Sequence, residues 1–85
     1  MENQPTPEQI REFKKTFVEG WGGALDLAQS FLNLINEAPE MHLGQPEVKK
    51  GTATLVEVLK VLGIYIKMMI QDEDLEKLIE EKIGQ

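Results

Sequence analysis

The chain has 85 residues, 9 Lys+Arg against 15 Asp+Glu, a net charge of -6 and no cysteine. The missing cysteines exclude a disulfide scaffold, a thiolate zinc site and a cysteine nucleophile. The acidic balance argues against holding a phosphate backbone, which takes clustered Lys and Arg, so no nucleic acid is expected as a partner.

Residues 1–5 read as a tail, and residues 6–85 as a single helical domain. Met1 to Glu8 holds neither a basic nor an apolar run, so the expectation is a cytoplasmic protein without a secretory signal. Thr6-Pro7-Glu8-Gln9 is a helix start: Thr6 as N-cap, Pro7 in the first turn, and Gln9 closing a capping box. Apolar residues then recur at Ile10, Phe13, Phe17, Trp21, Ala24, Ala28, Phe31 and Ile35, a mean step of about 3.6 residues, which predicts a helix over 7–37. Gly20, Gly22 and Gly23 interrupt it at a cost of about 1 kcal/mol each. The apolar phase passes through them without a slip, which favours one long, kinked helix over two short ones.

Residues 38–46, with two prolines and a glycine, form the connector. A second helical region is expected over about 47–83. From Leu55 to Ile70 it is apolar over most of its circumference, apart from a stripe carrying Glu57, Lys60 and Lys67. Such a helix must be covered on several sides, although its β-branched residues leave a strand reading open. These charges also break the run before it reaches the ~20 apolar residues of a membrane span. Leu75, Leu78, Ile79 and Ile83 make a final amphipathic stretch, with Gly84 placed to end it. It either continues the preceding helix, with Asp72 at a core position of a seam through Val61, Tyr65, Met68, Leu75 and Ile79, or starts afresh with Asp72 or Asp74 as cap.

Sites of chemistry are scarce. His42 lies among Glu37, Glu40 and Glu47 without the fixed spacing of a metal site, so no metal and no cofactor is expected. The run Asp72 to Glu76 alternates oxygens as a calcium loop does, but Lys77 and Ile83 stand where that loop needs Gly and Glu. Gly20 to Gly23 is no phosphate loop; its Trp21 is either an aromatic anchor for a partner or a core residue. Arg11, Lys14 and Lys15, like Lys49 and Lys50, are diluted by glutamates. No acid–base pair, nucleophile or metal cluster points to an enzyme.

The expected fold is all-α, a helical hairpin of two long helices. Two copies would dock through the faces Phe13 to Ile35 and Leu55 to Ile70 into a four-helix bundle. A monomeric bundle of three or four shorter helices is the alternative. The residues expected at the interface are Phe13, Phe17, Trp21, Phe31, Val58, Leu62, Tyr65, Ile66 and Met69. The expected function is a small, non-enzymatic interaction or adaptor protein acting as a homo-oligomer, with a further protein as a second kind of partner. The alternatives are a peripheral membrane protein, or an acidic regulator that covers a nucleic-acid-binding surface through Asp72 to Glu81.

Overall fold

The computed structural model describes residues 4–37 and 46–84. Three helices follow in chain order: α1 Pro7–Glu37, α2 Pro46–Ile70 and α3 Glu73–Ile83. The fold is all-α, and there is no strand among the described residues. Residues 1–3 and most of the connector, His42 included, lie outside the described residues.

Local chemistry accounts for the helix limits. At the start of α1 the Thr6 hydroxyl accepts from Gln9 N–H at 3.1 Å, and Gln9 Oε1 accepts from Thr6 N–H at 2.9 Å. These two bonds complete the reciprocal capping box. From there α1 runs without a break through Gly20, Gly22 and Gly23. The second helical region does divide. Gln71 takes a left-handed conformation, φ 51°, and the chain reverses. Asp72 then caps α3, its Oδ1 accepting from the N–H groups of Asp74 at 3.1 Å and Leu75 at 3.2 Å. A single seam through Asp72 is therefore overturned: Leu75 and Ile79 are buried, whereas Val61, Tyr65 and Met68 are exposed. Gly84 ends α3 in an ordinary right-handed conformation, φ -75°, and not as a left-handed cap.

The core is small and continuous. Val18, Trp21, Leu25 and Ala28 of α1 meet Val56, Ile66 and Ile70 of α2 and Leu75 and Ile79 of α3. Trp21 stands at the crossing of α1 and α2. Its indole N–H donates to Leu59 O at 2.7 Å, and its ring lies so close to Gly63 that a methyl group there would overlap Cζ2. Among the described residues Thr52 is the buried polar side chain, and its hydroxyl donates to Val48 O at 2.8 Å.

α3 packs along one side of the hairpin, parallel to α1. Arg11 reaches Asp72 and Asp74 at 3.3 Å each, Lys82 pairs with Asp26, and Lys67 pairs with Glu80. Exposed pairs of this kind contribute roughly 0–1 kcal/mol each. The larger hold on α3 is Ile79, 0% exposed, with Leu75 beside it. The molecule measures 57 × 24 × 15 Å, with a radius of gyration of 16.4 Å. A compact chain of this length would have about 12 Å.

Gly63→Ala gains about 1 kcal/mol of helix propensity but forces the indole away from Leu59 O. We expect a net loss of about 1–3 kcal/mol, read as a lower urea midpoint. At the α2–α3 junction, Asp72→Ala should cost about 1 kcal/mol through the lost cap. Gln71→Gly should recover up to about 1 kcal/mol by relieving the left-handed residue. The same urea titration reads both.

Candidate interaction face

The apolar residues of α1 fall into two stripes, not one. Val18, Trp21, Leu25, Ala28, Leu32 and Ile35 alternate at steps of three and four, and they are buried or packed against the core. One residue earlier at each place runs a second set with the same spacing: Phe17, Gly20, Ala24, Leu27, Phe31 and Leu34, extended towards the N-terminus by Ile10 and Phe13. This second stripe is exposed, Phe13 at 71% and Leu27 at 74%. α2 repeats the arrangement. Val56, Leu59, Gly63, Ile66 and Ile70 turn inward, and Leu55, Val58, Leu62, Tyr65 and Met69, each one residue earlier, turn outward.

One residue is about 100° of helix. Because α1 and α2 run antiparallel, an offset of one residue towards the N-terminus in both swings the two exposed stripes to the same side of the hairpin. Three shallow grooves trace that side. The first lies between Phe13, Phe17 and Met69, the next between Phe17, Gly20, Ala24 and Leu62, and the last between Ala24, Leu27, Phe31 and Leu55. The Phe13 and Phe17 rings stand 6.4 Å apart at 32° and form a continuous aromatic step. α3, with its ion pairs, occupies the opposite side.

The face excludes charge. Neither exposed stripe contains Asp, Glu, Lys or Arg, and the flanking positions of α1 are Gln9, Thr16, Gly23 and Ser30. Lys14 only borders the groove next to Phe13. On α2 the outer flank is Thr54, Val61 and Met68, all exposed. The accessible surface is 6445 Å², where a folded monomer of this mass exposes about 5,100 Å².

Of the nine residues expected at an interface, Phe13, Phe17, Phe31, Val58, Leu62, Tyr65 and Met69 lie on this open face. Trp21 and Ile66 do not. They are 5% and 3% exposed and belong to the core of the single chain, each one residue beyond a member of the open stripe. Ile10, Leu27, Leu34 and Leu55 were not singled out and belong to the face. The signal that finds them is the strict three–four alternation, which separates two neighbouring stripes that a mean step of 3.6 merges.

Carbon lines the grooves, with a hydroxyl only at Thr16 and an amine only at Lys14. Among the described residues no group of three or more His, Asp or Glu is placed to hold a metal ion. None of the described helices is long and apolar enough to cross a membrane. The chain matches no protein-family model, no curated protein and no solved structure.

Proposed function

We propose that this chain is a non-catalytic interaction protein that works as a homodimer. The open faces of two hairpins close on each other into a four-helix core, with α3 on the outside of each half. The observation that carries this reading is the uncharged apolar face itself: two exposed heptad stripes, on antiparallel helices, turned to one side. In a four-helix bundle every helix meets two neighbours roughly at right angles, so each helix needs two apolar stripes. α1 and α2 each have two, about 100° apart, and the single chain uses one. The adaptor role follows from the same economy. A chain whose grooves hold carbon and no acid–base pair has binding, not bond-making, to offer.

The two other readings have less support. An amphipathic helix on anionic lipid carries a basic rim, and the α1 rim of this face is Gln9, Thr16, Gly23 and Ser30, with Lys14 the single cation bordering its grooves. An acidic surface that mimics nucleic acid needs free carboxylates. Of the six between Asp72 and Glu81, half (Asp72, Asp74 and Glu80) already serve the α3 cap and its pairs with Arg11 and Lys67.

Light scattering on a size-exclusion column tests the proposal. At tens of micromolar the mass should be twice 9.6 kDa, and the melting temperature should rise with protein concentration. The double variant Phe17→Glu, Leu62→Glu changes two exposed side chains. It should elute at the single-chain mass with its helical circular dichroism retained. A wild-type chain that stays at the single-chain mass at high concentration contradicts the homodimer. Flotation with anionic vesicles would then favour the membrane reading.

A further inference from the structure

We infer that the two copies pair with their connectors at opposite ends, α1 lying antiparallel on α1 of the partner across a two-fold axis at the level of Gly22. This rests on the homodimer proposed above and specifies its geometry. The exposed stripe of α1 is a palindrome of side-chain size. Gly20 and Ala24 sit at its middle, Phe17 and Leu27 flank them, then Phe13 and Phe31, with Ile10 and Leu34 outermost. Reversal about the level of Gly22 sets Gly20 against the partner's Ala24, Phe17 against the partner's Leu27 and Phe13 against the partner's Phe31. That is the alternation an antiparallel pair of heptad helices requires.

The exposed stripe of α2 is not symmetric in size, but its register also allows a reversal. Val58 and Leu62, then Leu55 and Tyr65, then Gly51 and Met69 pair about the level of Lys60. A heptad stripe can be reversed about several levels, and the fold sets one of those of α2, that of Lys60, at the height of the α1 centre. Trp21, next to Gly22, donates its indole N–H to Leu59 O, next to Lys60. One axis perpendicular to the helices serves both.

The alternative two-fold, with both connectors at one end, would lay α1 on the partner's α2 at equal height. It would then gather Phe17 and Tyr65 twice into one layer and Ala24 and Val58 twice into another. The opposite-end arrangement shares Phe17 and Tyr65 with Leu27 and Leu55, so the layers are more even in volume, as dense packing demands.

Gly20 supplies a separate observation. Within the chain nothing lies within 4 Å of the position its Cβ would take, as is also true of Gly23 and Gly51, so no internal contact accounts for this glycine on the open stripe of α1. A close crossing of two α1 helices at Gly20 and Ala24 does account for it.

Single-cysteine spin labels test the geometry in the intact chain, which has no cysteine of its own. Glu19→Cys and Asn33→Cys lie two heptads apart on one exposed face of α1, so their lateral offsets from the axis agree. The opposite-end dimer separates the paired labels along the helix by about 9 Å at position 19 and about 33 Å at position 33. A dimer by light scattering that gives the same distance at both positions overturns this geometry and leaves the homodimer standing. A chain that stays monomeric removes both. As a second measure, Gly20→Leu should leave the monomer folded, since the position is open, and weaken dimerisation about tenfold or more. Unchanged dimer affinity would refute the crossing at Gly20.

Discussion

The contact of Trp21 with Gly63 sets the rest of the structure. An indole can lie this close to α2 only where the residue beneath it has no side chain, and its N–H finds Leu59 O only at that level. A buried indole without a partner for its N–H would lose a hydrogen bond. The pair therefore fixes how far α1 and α2 slide past each other. With the slide fixed, Val18 and Leu25 fall towards α2 and α3, and Phe17 and Ala24 are left on the far side of the same hairpin. The open face is the geometric remainder of that one contact.

Much of this was legible along the chain, and the legible parts are the local ones. The capping box at Thr6 and Gln9 involves residues three apart, so its residue types suffice to place the start of α1. The passage of α1 through its glycines was readable because the apolar phase is unbroken on both sides. The reversal at Gln71 was not, since a glutamine does not advertise a left-handed conformation as Gly or Asn does. For that reason the Asp72 cap remained one of two alternatives until the fold decided between them.

The assignment of stripes failed at Trp21 and Ile66 for a different reason. A mean step of 3.6 residues, followed through Phe17, Trp21, Ala24 and Ala28, hops between two stripes one residue apart. On α2 almost the whole circumference is apolar, so composition offers no contrast by which to tell the buried side from the open one. Only the tertiary partner makes that choice, and the partner of Ile66 is the core shared with α3. Of the two readings open for Trp21, partner anchor or core residue, the fold shows the core one.

Self-association of an acidic chain also has to overcome its own charge, since doubling a net charge of -6 gives -12. The distribution of charge answers this. The four ion pairs sit on the side that carries α3, and Glu57, Lys60 and Lys67 lie along the polar stripe of α2. The stripes of the open face hold none, and Lys14 alone borders its grooves. At physiological ionic strength, charges more than about 8 Å apart are largely screened, and the chain is 15 Å through its thinnest dimension. Two copies brought together by their uncharged sides thus keep most of their like charges outside that range. In the proposed dimer the same separation would leave the acidic surface outermost. Apolar surface on one side and charge on the other is the division expected of a molecule with one side to cover and one to expose.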